Sequence, residues 1–135
     1  MSDEEAIRQI VADFYAAVNE LQRGDPTLLL ALWSRGPDVT QLSPRGGPQR
    51  GWAEIEAYYR RAAEVAGKSS RQVTAAGHDL LIRVHGDLAY TCMREEVTII
   101  QEGGINQLRP RATHIYRREA GTWKLIHRHT DATGD

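Results

Sequence analysis

Near Ser70 the spacing of apolar residues changes from about four to two, so within 135 residues a helical half must give way to a β half. In the first half Ile7, Ile10, Val11, Phe14, Val18 and Leu21 recur at helical spacing, while Asp3, Glu4, Arg8, Gln9 and Asn19 fall elsewhere. Ser2 followed by Glu5 predicts a capping box at the start of this helix, and Gly24 closes it. Asp25-Pro26 opens a short second helix, with Leu28, Leu29, Leu32 and Trp33 as its expected buried side and Gly36-Pro37 as its end. A short strand is expected from Asp38 to Leu42, and Ser43 to Pro48 is rich enough in breakers to be read as a loop. Gly51-Trp52 leads into a third helix, in which Trp52, Ile55, Tyr59 and Ala62 or Ala63 share a face, and Gly67 stops it.

Beyond Ser70 the turn signals Gly86-Asp87, Glu102-Gly103-Gly104 and Ala120-Gly121 divide the chain into strands at about 70–85, 88–101, 105–119 and 122–131. A bulge is expected near Ala76-Gly77, and Pro110 should sit at an edge or bulge before Arg111 because it cannot donate to a ladder. Helices followed by a meander predict one α+β domain over residues 1–135, with three N-terminal helices packed on the concave face of a strongly curved antiparallel sheet. No cofactor is expected.

Charge and cysteine content narrow the function. Lys plus Arg number 17 against 18 Asp plus Glu, which leaves no net field to hold a polyanion, so nucleic acid is not an expected partner. There is no apolar run long enough to cross a bilayer and no charged-then-apolar leader, and the one cysteine, Cys92, cannot form an internal disulfide; a cytoplasmic protein without a membrane partner is expected. Cys92 lies in the alternating run Ala89-Tyr90-Thr91-Cys92-Met93 and reads as a small half-buried strand residue rather than a nucleophile.

Three modest helices cannot cover the whole sheet, so part of its concave face should remain hollow. Reading Glu119-Ala120-Gly121 as a three-residue loop pairs Trp123 with Arg117, Leu125 with Ile115, His127 with Thr113 and His129 with Arg111, all on the cavity side. A two-residue loop would shift the pairing by one and bring His114 opposite His127. The other face would carry His114, Tyr116, Lys124, Ile126 and Arg128, a mixed surface suited to a homodimer through the sheet. On the strand at about 88–101, the set Ala89, Thr91, Met93, Glu95 and Val97 is expected to point inward.

That register gathers His127, His129 and Glu95 as candidate acid–base residues, with Arg111 and Thr113 beside them. Arg111 would either bind a carboxylate or enolate-like ligand or pair internally with Glu95. Tyr15, Trp33, Trp52, Tyr59 and Met93 would wall the cavity for a small, partly hydrophobic ligand, or simply fill it. His127-x-His129 with Glu95 has the spacing of metal ligands, but the count stops there and Arg111 would repel a cation, so no metal is expected.

The C-terminal run resembles the last hairpin of SnoaL-like proteins of the nuclear-transport-factor-2-like superfamily. The matching elements are Arg111, Thr113, Tyr116 to Arg118, Gly121-x-Trp123 and His127-x-His129. Phe14 to Ala17, Gly24-Asp25, Trp33, Gly51-Trp52 and Gly86-Asp87-x-Ala89 are similar in order and spacing. The resemblance implies a bent sheet behind three helices, a pocket at the wide mouth of a cone and commonly a homodimer, and it spans isomerases, cyclases, dehydratases and association domains. Tyr15, or less closely Phe14, falls near the oxyanion-binding tyrosine of the ketosteroid isomerases, whereas Gln41-Leu42-Ser43-Pro44 stands where their catalytic aspartate precedes a proline. Two functions stay open: a small-molecule enzyme or binder, and a non-catalytic association module.

Overall fold

The computed structural model describes residues 1–133. Helix α1 (Asp3–Leu21) starts at the expected capping box, where the Glu5 N–H donates to Ser2 Oγ at 3.1 Å and the Ser2 N–H donates to Glu5 Oε1 at 3.3 Å. Its buried face carries Ile7, Val11, Phe14, Tyr15, Ala17 and Leu21. Asp25 Oδ1 accepts the Thr27 N–H at 2.9 Å at the start of α2 (Thr27–Leu32). Leu29, Leu30 and the following Trp33 are buried, but Leu28, expected inside, is exposed.

The segment read as a loop from Ser43 to Pro48 is instead part of a hairpin between β1 (Thr40–Ser43) and β2 (Gly46–Arg50). β2 is an edge strand, where the missing N–H of Pro48 is tolerated. Helix α3 (Gly51–Gly67) then buries Ile55, Tyr59 and Ala63. Five strands complete the sheet: β3 (Gln72–His85), β4 (Leu88–Gln101), β5 (Gly104–Leu108), β6 (Arg111–Glu119) and β7 (Thr122–Asp131). Their order is β2-β1-β7-β6-β4-β3, and β5 pairs with the stretch of β4 beyond the reach of β6. Every pairing is antiparallel except that of β1 with β7. The expected α+β architecture is therefore present, with the helices on the concave face of an open sheet. No helix among the described residues is long and apolar enough to cross a membrane.

Pro110 has the effect that its lost donor predicts: the strand expected over 105–119 breaks at Arg109-Pro110, and the Pro110 carbonyl accepts the Glu95 N–H at 2.8 Å. The bulge in β3 falls at His78–Leu81, just past the expected Ala76-Gly77, with Asp79 at φ 55°.

The final hairpin departs most from expectation. Ala120 (φ 49°) and Gly121 (φ 82°) both take the left-handed conformation, so the loop has two residues and Glu119 faces Thr122. Trp123 and Leu125 then share the helix-facing side with Arg118 and Tyr116. A bulge at Ile126 inserts one residue between the Tyr116–Leu125 and Ile115–His127 pairs. After it, Arg128 and Thr130 point inward, while His127 and His129 point outward with Ile115 and Thr113. The face read as a subunit interface is thus the core on β6, because His114 and Tyr116 are fully buried beneath the helices.

Candidate functional site

Two hollows flank the sheet. On the outer face an open trough of about 520 Å³ is lined by Cys92, Arg94, Arg111, Thr113, His129 and Asp131 among others. On the inner face the helices leave a pocket of about 350 Å³, within the range of small-molecule sites. Its apolar walls come from Phe14, Val18, Leu29, Tyr58, Val97 and Ile99, and its polar lining includes Tyr15, Gln41, Tyr59, Glu95, Arg128 and Thr130. The inner pocket combines enclosure by aromatic side chains with buried charge, and it is the candidate site.

Glu95 reaches it by strand alternation, since Ala89, Thr91, Met93 and Glu95 are all buried on one side of β4. Arg128 reaches it because the Ile126 bulge turns the second half of β7 over. The two form a bidentate ion pair: Arg128 Nη1 donates to Glu95 Oε2 at 2.7 Å, and Nη2 donates to Oε1 at 3.2 Å. Phe14 lies under the guanidinium, 4.9 Å from Cζ to the ring centroid. The Tyr15 hydroxyl donates to Glu95 Oε2 at 2.6 Å and lies 3.0 Å from Met93 Sδ. Gly77 makes room for this tyrosine, because a Cβ there would sit 2.7 Å from Tyr15 Cε2.

Behind the pair, Arg128 Nη1 lies 2.7 Å from His114 Nε2. A guanidinium only donates, so His114 Nε2 is the acceptor and Nδ1 carries the proton, which it gives to Tyr116 Oη at 2.9 Å. Burial, and then the charges of Arg128 and His127, hold the His114 pKa well below 6.5, so the ring is neutral. Burial and the Glu95 carboxylate push the Tyr15 pKa up, and burial likewise raises those of Tyr59 and Tyr116; all three phenols keep their protons. Burial opposes the charge on Arg128, but Glu95 more than offsets it and the guanidinium pKa is raised. The Tyr59 hydroxyl is bonded to Gln41 Oε1.

One edge of this network remains open. A guanidinium has five N–H donors, and Arg128 spends two from Nη1 and one from Nη2. Its Nε–H and second Nη2–H, a parallel pair, have no protein partner among the described residues. The buried polar side-chain atoms that lack partners are the indole nitrogens of Trp33 and Trp123, not those of Arg128. Arg128 Nε, which has no partner and is not among those buried atoms, therefore keeps some solvent contact, and Arg128 is part of the pocket lining.

The residues singled out from sequence divide accordingly. Tyr15, Tyr59 and Glu95 meet in the pocket, and Met93 lies buried against Tyr15. His127, His129, Arg111 and Thr113 do share one side of the sheet, but it is the outer one, so the expected cluster of both imidazoles with Glu95 does not form. His127 Nδ1 is 2.7 Å from Thr40 Oγ1, and His129 Nε2 is 2.6 Å from Asp131 Oδ2. Trp33 is packed in the core rather than in the pocket wall, and Trp52, half-buried at the start of α3, is covered by Arg35 at 4.9 Å. Arg128, not Arg111, is the internal partner of Glu95.

Sequence reasoning missed Arg128, His114, Tyr116 and Gln41 as site residues. A signal for two of them was present. Ala112-x-His114-x-Tyr116 alternates small and large residues as the inward set Ala89-x-Thr91-x-Met93 does, and the two rows are neighbours, with Ala112 opposite Met93 and Tyr116 opposite Ala89.

Three helices closing one side of an open, curved sheet over a pocket with a buried ion pair define a cone-fold pocket protein. Residues 7–131 match the SnoaL-like domain family, and the chain belongs to it. No curated protein matches the chain in sequence. Its solved structural relatives include a nuclear-transport-factor-2-like protein with a cystatin-like fold from Novosphingobium aromaticivorans, with 18% identity, a TM-score of 0.78, and coverage of 98% of this chain and 82% of that one. A protein of the same superfamily from Streptomyces avermitilis, provisionally described as a dehydratase, shares 22% identity at a TM-score of 0.78, covering 98% and 97%. The CaMKII hub of S. rosetta shares 20% identity at a TM-score of 0.77, covering 98% of each chain. At these identities the likeness establishes the fold alone.

Proposed function

We propose that the inner pocket binds a small, partly hydrophobic molecule through a carboxylate or carbonyl oxygen, which the free Nε–H and Nη2–H edge of Arg128 receives. The observation that carries this reading is that open edge: the other polar contacts of the pair are made within the protein, while this parallel pair of donors is left to the pocket. Glu95 holds the guanidinium in place, Tyr15 holds Glu95, and the aromatic and aliphatic walls take the ligand's apolar body. Isomerase, cyclase or dehydratase chemistry on a carbonyl ligand would draw its proton donor and acceptor from Tyr15 and Glu95, because His127 and His129 lie across the sheet. Calorimetric titration tests the binding step with 3-phenylpropionate and the corresponding alcohol, 3-phenylpropanol. The acid is expected to bind at least about tenfold more tightly, as one charge-assisted bidentate contact allows. Arg128→Lys, which keeps a cation beside Glu95 but loses the fork, should remove that preference. Equal affinity for acid and alcohol, or an undiminished preference in the lysine variant, counts against the reading.

A second reading, self-association through the outer face of the sheet, is favoured by the apolar side chains exposed there. Leu81, Leu88 and Tyr90 are 38%, 48% and 38% exposed, and Tyr90 stacks on His85 with ring centroids 6.1 Å apart. Sedimentation velocity should then give twice the chain mass for the native protein and a single chain mass for Tyr90→Glu; a monomeric native protein removes this reading.

A further inference from the structure

The exposed end of the pocket has a charge that its buried end does not need. Arg45 from the β1–β2 turn, Arg71 ahead of β3 and Arg109 between β5 and β6 all line it, and all three are exposed. They come from three separate parts of the chain, so no local sequence run accounts for their convergence. Glu95 is the one acidic residue among the described lining residues, and it is already paired with Arg128. Among the described residues none of these three guanidinium groups has a carboxylate partner, in a chain whose formal net charge is −1.

Lack of an ion pair does not by itself set these three apart, since Arg35, Arg50, Arg61, Arg83 and Arg111 also have none among the described residues; their place on the pocket lining does. Arg8, Arg23 and Arg60 are paired with glutamates on their own helices, Arg117 with Asp38 and Glu119, and Arg118 with Asp3 and Asp87. Arg45, Arg71 and Arg109 have no carboxylate within ion-pair distance among the described residues, and the one side-chain contact in the set is Arg109 Nη2 to Gln107 Oε1 at 3.1 Å. Like charges lining one pocket raise its positive potential, and a low-dielectric wall beside them focuses their field. Such an arrangement costs stability in the empty protein and returns it when an anion arrives.

We infer that the pocket's ligand is an amphipathic dianion. Its first oxygenated group meets Arg128 at the buried end, its apolar body lies along Leu29, Val97 and Ile99, and a second anionic group, phosphate or carboxylate, is held by Arg45, Arg71 and Arg109 at the rim. Guanidinium groups suit either anion, because their paired N–H donors match two oxygens at once. The inference rests on the reading of the pocket as a small-molecule site and adds the ligand's second charge.

Titration of the full chain with three probes tests it: 3-phenylpropionate, its para-phosphate ester 3-(4-phosphooxyphenyl)propionate, and 3-(4-carboxyphenyl)propionate. At about 0.01 M salt, where screening is weak, the two probes with a second anionic group, the dicarboxylate as a dianion and the phosphate ester with close to three negative charges near pH 7, should bind at least about tenfold more tightly than the monoanion, and the advantage should shrink at about 0.15 M. In the triple variant Arg45→Gln, Arg71→Gln, Arg109→Gln the advantage should vanish, while the affinity for 3-phenylpropionate, which also feels the rim's field at low salt, should fall by less than that for either of the other two probes. The three side chains are exposed and outside any ion pair among the described residues, so the variant is expected to melt no lower than the native protein, which is measured alongside. Probes with a second anionic group that bind no better than the monoanion overturn the inference and leave the pocket's proposed function standing; so does an advantage that survives in the triple variant. Failure of all three probes to bind overturns both.

Discussion

Arg128 and His129 are neighbours in sequence on opposite sides of one sheet, and nearly everything about their surroundings differs. Arg128 lies against the helices with its side chain 15% exposed, paired with Glu95, bonded to His114 and stacked on Phe14. His129 faces outward with its side chain 46% exposed, and its one side-chain partner is Asp131, itself 61% exposed. The same contrast separates two of the final hairpin's three histidines, His114 without solvent contact and His129 in it. A residue type suited to acid–base or anion chemistry therefore says little by itself; which face of the strand carries it decides whether its charge is stabilised by design or dissolved in water.

The largest test of that contrast is to remove one carboxylate inside and one guanidinium outside. Glu95→Gln leaves the buried Arg128 without its counter-charge, and breaking such a pair from one side costs about 3–5 kcal/mol. Arg111→Gln on the outer face removes an exposed cation for which no ion pair is found among the described residues, so it should change stability by less than about 0.5 kcal/mol. Urea denaturation of both variants against the native chain makes the comparison. Losses within about 1 kcal/mol of each other would mean that the inner pair is not the constraint its geometry implies.

Much of this arrangement could be read before any coordinates. The capping box at Ser2 and Glu5, the turns at Gly86-Asp87 and Ala120-Gly121, the interruption at Pro110 and the inward set ending in Glu95 all follow from local rules whose signal sits in a few adjacent residues. Tyr15 and Tyr59 were legible as inward-facing residues for the same reason, because helical spacing ties them to Val11 and Ile55. The face of the last strand was not legible. It depends on two events that no side chain announces: Ala120 adopting a left-handed conformation, which shortens the loop to two residues, and Ile126 being inserted as a bulge, which reverses every later residue. The loop length sets which residues of β6 stand beside Trp123 and Leu125, and the bulge turns His127 to Thr130 over relative to those two. The edge strand β2 escaped notice because Gly46-Gly47-Pro48 has no strand propensity, and the ladder it joins is supplied by β1.

A smaller effect sharpens the contrast through pH. His114 is neutral in the folded chain because burial, and next the Arg128 charge, hold its pKa below the value of 6.5 it regains on unfolding. Between those two values the unfolded chain binds the extra proton, so stability rises with pH there; the contribution is complete above about pH 7 and is lost progressively as pH falls below about 6.5. One proton sets a limiting slope of about 1.4 kcal/mol per pH unit. The groups facing the ring are Arg128 on β7, Tyr116 two residues along β6 and Phe14 from α1, and none of them changes charge in this interval. His127, half-buried on the outer face and also shifted downward, adds a smaller slope of the same sign, which water screens. Asp3, Asp38 and Glu119 are shifted below ordinary carboxylate values, so what they contribute is lost only at lower pH. Urea midpoints measured from about pH 7.5 to 5.5 should therefore fall in the native chain and fall much less in His114→Gln, whose amide can accept from Arg128 and donate to Tyr116 without taking up a proton. A slope that His114→Gln leaves intact would move the titrating group off the inner face and end the claim that this histidine is held neutral in the core.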